Sequence, residues 1–385
     1  MTDRRAAVRF SSVTRWTRWI RCTQWTQWRR SLALCLAFCG LGLGLSSTAR
    51  AATFTTFDAP GAGTGPGQGT FAASINPAGA ITGYYLDVNG VFHGFLRAPN
   101  GSVTTFDAPG AGAGADLRQG TFPKSINPTG AITGYYIDAR NLIHGFLRSS
   151  GGAMTTFDAP DVGAFLGTFA LSINATGAIA GYYFGGATLG NHGFLRAPDG
   201  AFTTFDAPGG QSTFALTIDS AGAIVGYFDE SHLHHRGFVR RPDGTFTTLD
   251  APGAGTTFNL GTFVWAINAA GVISGDYVDA NEVEHGFMRD RGGAFTTLDT
   301  PGTFTFPVSI NPAGAVAGYY IEYDSVQRSS KTHGLLRDRG GALTVFDAPG
   351  SQGLFTFPLS INPAGAITGY YADANSVFHG FLRSR

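Results

Sequence analysis

Histidine and aspartate are the residues of this 385-residue chain that could do acid–base or metal chemistry, and both recur at a regular spacing. Each "FDAP" phrase or close variant supplies an aspartate: Asp58, Asp107, Asp158, Asp206, Asp250, Asp299 and Asp347. The "HGFLR" phrase or a close variant supplies a histidine in six repeats: His93, His144, His192, His285, His333 and His379. Both side chains are zinc ligands. A residue repeated in every unit more often serves the unit, so we expect each aspartate to cap its own turn and each histidine to hydrogen-bond within its own unit.

One repeat departs from this pattern. Its loop reads "FDESHLHHRGF" (residues 228–238), Arg236 replaces the usual histidine, and the candidate metal ligands are Asp229, Glu230, His232, His234 and His235. Imidazole and carboxylate suit zinc, so a metal site is one interpretation. A solvated polar loop is the commoner use of such residues, and the sequence predicts no bound cofactor or metal elsewhere.

No catalytic motif accompanies these residues. The chain has no G-x-S-x-G sequence and no phosphate-cradling loop. All three cysteines lie within the first 51 residues, so the rest of the chain has neither a thiolate nucleophile nor disulfides. Segments such as "DVNG" (residues 87–90) offer too few oxygen ligands for a calcium loop and are expected to form turns. We predict no catalytic residue.

Internal repeats determine the elements that position these side chains. The "FDAP" phrases are separated by 44 to 51 residues, and each is followed by "GTF-x-x-SIN", "PAGAITGYY" and "HGFLR" or variants of them. A period of this length, with four strand-like pieces and no helical pattern, is typical of one propeller blade. The sequence therefore predicts an all-β fold, a seven-bladed β-propeller with four-stranded blades across residues 52–385.

The turns between the strands are also repeated. "NPAG" places Asn, Pro and Gly where a type I turn prefers them, as at residues 76–79. The second hairpin turn carries Asn-Gly, Asp-Gly or Gly-Gly, as at residues 100–101, which predicts type I′ turns. There are six of these second turns, because the last repeat ends at "HGFLRSR".

The order of strands follows from side-chain size. The "SIN" strand has one small face, and Gly83, Gly134 and Gly181 of the next strand fit the crowding expected near an axis. The "SIN" strand is thus innermost and "TTFDAP" outermost. The N-terminal "ATFTTFDAP" (residues 52–60) has no blade of its own, so we expect it to complete the last blade and close the ring. An open solenoid, the alternative, would leave both ends uncapped.

The loops on one rim of this propeller vary strongly, whereas the "NPxG" and "DG" turns on the other are nearly uniform. Binding residues concentrate on variable loops held by a rigid scaffold. The candidate ligand-binding residues on that rim are Asp116, Arg118, Asn259, Tyr323, Arg328 and Lys331.

The phrase "IN-x-x-G-x-I-x-G-Y" followed by "HGFLR" resembles the extracellular HAF-type repeat of bacterial secreted proteins. Glycines such as Gly94 stand where the name of that repeat expects alanine. The resemblance covers nearly all of residues 52–385. It implies export and a β-propeller-like array, and it transfers no catalytic residue.

Residues 1–51 are typical of a secretory signal: an Arg/Trp-rich stretch, the apolar run 32–45 and an A-x-A site ending at Ala51. General secretory and twin-arginine export both remain open, as does an uncleaved anchor. The remaining chain has 17 basic and 25 acidic residues, a net charge of −8, which argues against nucleic-acid binding. We expect no membrane span in it.

These patterns predict a protein that is secreted, periplasmic or on the cell surface, monomeric, and non-catalytic. It would act as a binding or scaffolding module for an extracellular polysaccharide or a protein partner, bound on the variable rim. An extracellular lyase or hydrolase with a site at the propeller axis is one alternative. A purely structural surface protein is the other.

Overall fold

The computed structural model describes residues 52–384 except 115–117, 161, 163–166, 186–189, 231–233, 301–303 and 325–328. The named elements of these ranges are all β-strands, and they repeat in units of four antiparallel strands. Within the described part of the chain, no helix has the length and hydropathy that crossing a bilayer requires. The predicted signal segment lies outside the described residues.

Each strand of a unit has a fixed place. The first strands are β2 (Gly69–Ile75), β6 (Gly120–Ile126), β10 (Thr168–Ile173), β14 (Ser212–Ile218), β18 (Gly261–Ile267), β22 (Phe304–Ile310) and β26 (Phe355–Ile361). The second strands are β3 (Ile81–Leu86), β7 (Ile132–Ile137), β11 (Ile179–Gly185), β15 (Ile224–Asp229), β19 (Ile273–Val278), β23 (Val316–Asp324) and β27 (Ile367–Ala372). The third strands are β4 (Phe92–Arg97), β8 (Ile143–Arg148), β12 (Gly190–Arg196), β16 (His235–Arg240), β20 (Glu284–Arg289), β24 (Ser329–Arg337) and β28 (Phe378–Ser384). The fourth strands are β5 (Val103–Phe106), β9 (Met154–Phe157), β13 (Phe202–Phe205), β17 (Phe246–Leu249), β21 (Phe295–Thr297) and β25 (Leu343–Phe346), and β1 (Thr53–Phe57) precedes them all.

The hydrophobic core lies between neighbouring units. Ile81 and Phe95 of one unit are fully buried, and Phe57 and Leu382 from β1 and β28 pack against the same cluster. The strands form because β-branched and aromatic residues alternate with small ones, which suits a pleated surface packed on both faces. Burial of such a phenylalanine contributes about 3–5 kcal/mol relative to alanine.

Glycine in the second strands permits close approach to the first strands. A Cβ at Gly83, Gly134 or Gly181 would meet the carbonyl oxygen of Phe71, Phe122 or Phe169, respectively. These are the glycines in which the sequence indicated crowding, and the contact with backbone explains why no side chain fits there.

The two kinds of turn have different outcomes. In the "NPAG" turn the Gly79 N–H donates to Asn76 O at 3.0 Å and Gly79 has φ +86°, consistent with the predicted type I turn. The type I′ prediction for the second turns was wrong. Gly101 has φ +92° but Asn100 is not among the residues with positive φ, and the Gly101 N–H donates to Ala98 O. A type I turn followed by a left-handed glycine closes the hairpin with positive φ at one residue, whereas a type I′ turn needs positive φ at two.

The first and last strands of the described chain pair with each other. β1 runs antiparallel to β28, with register from Thr53 opposite Ser384 to Phe57 opposite Gly380. The Phe54 ring lies 5.9 Å from that of Phe346 and 6.2 Å from that of Phe381. β28 thereby has the outer neighbour that its own repeat lacks.

Candidate functional site

The repeated histidines and aspartates pair with each other. His93 Nδ1 lies 2.9 Å from Asp107 Oδ2, and its ring stacks on Tyr85 at 5.0 Å. Equivalent Nδ1–carboxylate pairs join His144 to Asp158, His192 to Asp206, His285 to Asp299, His333 to Asp347 and His379 to Asp58. The imidazole therefore connects the third strand to the end of the fourth, as expected from the repeats.

The aspartates do not cap their own turns, and that part of the prediction was wrong. Among the described residues, no "FDAP" carboxylate accepts a hydrogen bond from the turn that follows it. A threonine of the next first strand holds the turn instead: the Ala59 N–H donates to Thr70 Oγ1 and the Ala108 N–H to Thr121 Oγ1, both at 2.9 Å. The carboxylate is left to accept from the imidazole one strand away.

The aspartates of the "DVNG"-type loops do form turns. Asp87 Oδ1 accepts the N–H groups of Asn89 and Val91 at 2.9 and 2.8 Å. Burial by itself would raise the pKa of Asp87. The hydrogen bonds from these N–H groups together lower it by more, so the pKa lies below its ordinary value. Across the described residues, no three His, Cys, Asp or Glu side chains come together so as to hold a metal ion.

The unusual fourth loop separates into acid–base pairs. His235 Nδ1 lies 2.7 Å from Asp229 Oδ1, and His234 Nδ1 lies 3.6 Å from Glu230 Oε2. Arg236 donates to both oxygens of Asp250, at 3.0 and 2.6 Å, and takes the place of the usual histidine in that pair. His232 lies outside the described residues. Glu230 also accepts from Arg236 at 3.4 Å, so the four described candidates take part in ion pairs and do not share one centre.

The candidate residues of the variable rim come from three separate units. Tyr323 and Lys331 face across the extended β23–β24 hairpin, where Tyr323 pairs with Ser330 and Lys331 with Glu322. Arg118 and Asn259 lie in loops before β6 and β18, both with positive φ (52° and 60°). Tyr323 is 42% exposed. Asp116 and Arg328 lie outside the described residues, and no contact joins the described four into one site.

A different set of residues converges. Each first strand has a β-bulge at one position, as between Ala72 and Ser74 in β2 or Pro123 and Ser125 in β6. The residues at these bulges are Ala73, Lys124, Leu171, Leu216, Trp265, Val308 and Leu359. A bulge redirects its extra side chain. A cavity of about 190 Å³ is lined by residues from all the first strands given above, and we call it the first-strand cavity.

Phenylalanines of the first strands and tyrosines of the second strands form a belt of alternating ring contacts. Phe71 stacks on Tyr84 at 5.2 Å, Tyr84 meets Phe122 edge-on at 5.3 Å, and Phe122 stacks on Tyr135 at 5.1 Å. The contacts run along the chain to Phe263 and resume at Phe306, and Tyr370 meets Phe71 at 5.2 Å. Burial raises the pKa of Tyr135 to about 12. The tyrosines are therefore neutral packing elements at physiological pH.

One unit breaks the belt. Asp276 stands where the other second strands have tyrosine, and it is fully buried. The Trp265 indole N–H donates to Asp276 Oδ1, and the indole packs beside Phe263 and Tyr227 at 6.4 and 6.3 Å. Trp265 is therefore half-buried and packs beside Asp276, where the other units have a tyrosine ring.

Lys124 lines a second, adjoining pocket of about 240 Å³. Its walls include Phe71, Tyr84, Leu171, Leu359 and Tyr370, and we call it the Lys124 pocket. Lys124 Nζ lies 5.1 and 5.3 Å from the ring centroids of Tyr84 and Tyr135, within cation–π distance. None of the described residues lining either cavity carries a carboxylate.

Sequence reasoning did not select Lys124. The signal was present, because the bulge position varies between units while its neighbours are nearly constant. That variation is visible only in an alignment of the repeats. Its meaning depends on the β-bulge, which directs the side chain at that position toward the cavity.

Comparisons with known proteins identify the fold. No family model matches the chain, and no curated protein matches it. A solved structure of streptogramin B lyase is similar over 86% of this chain and 97% of that one, with 12% identity and a TM-score of 0.51. An ancestral GH74 enzyme matches over 86% of this chain and 51% of its own, with 9% identity and a TM-score of 0.48. A lectin of Aleuria aurantia in complex with α-methyl-L-fucoside matches over 85% and 93%, with 11% identity and a TM-score of 0.37.

At these identities the likeness concerns the fold and not the activity. The strand pattern, the repeated four-strand units and the similarity to the lyase structure agree. The described chain has an all-β, β-propeller-like fold.

Proposed function

We propose that this protein is a secreted, monomeric, non-catalytic binding or scaffolding module, whose ligand is an extracellular polysaccharide or a protein partner. Its scaffold would be a ring of seven four-stranded blades, closed by the N-terminal strand β1. The HAF-type repeat and the N-terminal signal pattern motivate the assignment to the outside of the cell. The first-strand cavity and the variable rim at its mouth would form the binding face.

Contacts between the first and last units support the ring. Besides the β1–β28 pairing, the Ile75 N–H donates to Ser360 Oγ and Asn362 Nδ2 donates to Asn76 O, both at 3.3 Å. The same two contacts join neighbouring units within the chain, as from Ile126 N to Ser74 Oγ. A continuous ring needs no capping repeat and leaves no long sheet edge.

The observation that carries the binding function is the asymmetry of the cavity. The repeated histidines and aspartates are engaged in pairs, so they have structural partners within each unit. The bulge positions differ from unit to unit, and six of them line a common space, where Lys124 stands beside aliphatic side chains such as Leu171 and Leu359. The first-strand cavity is concave, and its aliphatic bulge residues lie beside hydroxyl groups such as those of Ser74 and Thr217. Convergent polar groups in a concave site are typical of ligand binding, and the described lining offers no acid pair for hydrolysis.

A thermal-shift screen of the purified protein against extracellular polysaccharides tests this function. A ligand at 100 times its dissociation constant adds about 2.7 kcal/mol of stability, which a melting curve resolves. Two variants locate the site: Ala73→Trp fills the first-strand cavity, and Tyr323→Ala alters only the rim hairpin. A cavity ligand should lose its shift in the first variant and keep it in the second, and a rim ligand should do the reverse.

Product analysis of the same samples separates binding from turnover. We expect the polymer length to stay constant, because the lining holds no carboxylate pair. Shortening of the polymer would contradict the non-catalytic assignment and support a lyase or hydrolase. The absence of any shift across polysaccharides and candidate protein partners would instead favour a structural surface protein.

A further inference from the structure

Among the described residues that line the two cavities, Lys124 is the one cation, and none of the others carries a countercharge. The side chain is half-buried, and no described carboxylate lies within ion-pair distance of its Nζ. The rings of Tyr84 and Tyr135 contact the ammonium through their faces only. Two aromatic faces stabilise a cation less well than an anion does, so the site favours a ligand that brings a negative charge.

The shape of the pocket restricts that ligand. The Lys124 pocket has a volume of about 240 Å³ and walls formed by Phe71, Leu171, Leu359 and Tyr370. Such walls accept a ring or another flat apolar face, and Lys124 offers a single positive charge at one side. We propose that the Lys124 pocket binds the carboxylate of a compact organic acid, with the apolar face of the acid against the aromatic wall.

Charge elsewhere on the protein favours a small acid over a polyanion. Residues 52–385 carry a net charge of −8 and contain only two lysines, Lys124 and Lys331. A polymer with many negative charges would be repelled by this field, whereas one carboxylate is paired locally. The acid would come from either of two sources, a free aromatic acid or a uronic acid at the end of a polysaccharide.

This inference deepens the proposed binding function and rests on it. Isothermal titration calorimetry of the full chain with benzoate and with galacturonate tests both sources, and benzamide and galactose serve as the matched neutral ligands. We expect at least one acid to bind saturably. Its neutral counterpart should bind with an affinity at least about tenfold lower, since a hydrogen bond to a charged group contributes about that factor.

Variants assign the charge to Lys124. Lys124→Met should weaken binding of the acid about tenfold or more, whereas Lys124→Arg should retain it. Arg241→Met removes an exposed positive charge from the turn between β16 and β17, on the uniform rim, and should leave the affinity unchanged. Melting temperatures equal to that of the parent chain show that each variant is folded.

The inference is overturned if neither acid binds the parent chain, or if Lys124→Met binds the acid as tightly as Lys124→Arg does. It is also overturned if the neutral ligands bind equally well. A polysaccharide that shifts the melting temperature of the parent and of Lys124→Met alike would leave the proposed binding function standing while this inference fails.

Discussion

Asparagine side chains at the ends of the first strands form hydrogen bonds between neighbouring units, and one of them can be tested by substitution. Asn127 is 3% exposed, and its Nδ2 donates to the carbonyl oxygen of Asn174 in the next unit at 3.1 Å. Its Oδ1 accepts the backbone N–H groups of Thr129 and Ala131 within its own turn. Asn127→Asp keeps that acceptor, removes the donor, and places a carboxylate oxygen against the Asn174 carbonyl.

The cost follows from burial. The Asn174 carbonyl keeps the Gly177 N–H as a donor, so the variant loses one hydrogen bond of two at this oxygen. Such a bond contributes about 0.5–1.5 kcal/mol, and repulsion between the two oxygens adds to the cost. Hydrogen bonds from the turn to a charged carboxylate are stronger than to an amide and offset a part. We expect a net loss of about 1 kcal/mol, which is roughly fivefold in the unfolding equilibrium.

Urea unfolding followed by circular dichroism measures this loss. Asn100→Asp is the matched control, because Asn100 lies in an exposed turn and bonds only within it, to Ser102. That control should change stability by less than about 0.5 kcal/mol. Asp219 holds the equivalent position in another unit and lacks the amide donor, so Asp219→Asn should stabilise by up to about 1 kcal/mol. If Asn127→Asp is as stable as Asn100→Asp, the coupling argument is refuted.

Three further predictions concern the chain ends and pH. Phe54→Ala removes a half-buried ring from β1 and should lower the free energy of unfolding in urea by about 2 kcal/mol. The control Thr55→Ala, at the exposed neighbouring residue, should lower it by less than about 0.5 kcal/mol. Equal losses would contradict the β1–β28 packing. Burial raises the pKa of Tyr135 to about 12 and that of Tyr182 above its ordinary value of 10.0. The stability that comes from burying the neutral phenols is therefore fully present below pH 10.0 and is lost as the pH rises toward 12. Phenolate absorbance and loss of β-sheet circular dichroism should coincide, and phenolate formation in an intact fold would refute the burial. The hydrogen bond from the Val377 N–H lowers the pKa of Asp373 below 3.8, and burial opposes this with a smaller effect. The parent should therefore be more stable than Asp373→Asn at neutral pH, and this difference should vanish as the pH falls below 3.8. Acid unfolding curves that show a difference independent of pH would contradict this.

The repeated parts of the fold could be predicted from the sequence because seven copies of one pattern report the same local physics. The period, the strand order and the crowding at Gly83 follow from spacing and residue size. The type of the second turn could not be predicted, because Asn-Gly suits both a type I′ turn and a type I turn followed by a left-handed glycine, as at Gly101.

The candidate site was harder to predict, since it depends on departures from the repeat. The β-bulge that directs Lys124 into a cavity is a feature of strand pairing and leaves no residue signature of its own. Likewise, the partner of Asp107 is a histidine 14 residues earlier on the neighbouring strand, so local turn chemistry suggested the wrong acceptor role. The substitution of Asp276 for tyrosine becomes meaningful only beside Trp265.

The most direct test of the account is a binding experiment that measures ligand retention and ligand integrity together. The intact protein and its Ala73→Trp and Tyr323→Ala variants are incubated with the polysaccharide or acid that gives the greatest thermal shift, and bound and recovered ligand are analysed by mass spectrometry. The account predicts that the parent retains the ligand, that one of the two variants does not, and that the recovered ligand is chemically unchanged. A ligand that is cleaved, or one held equally well by both Ala73→Trp and Tyr323→Ala, would contradict it.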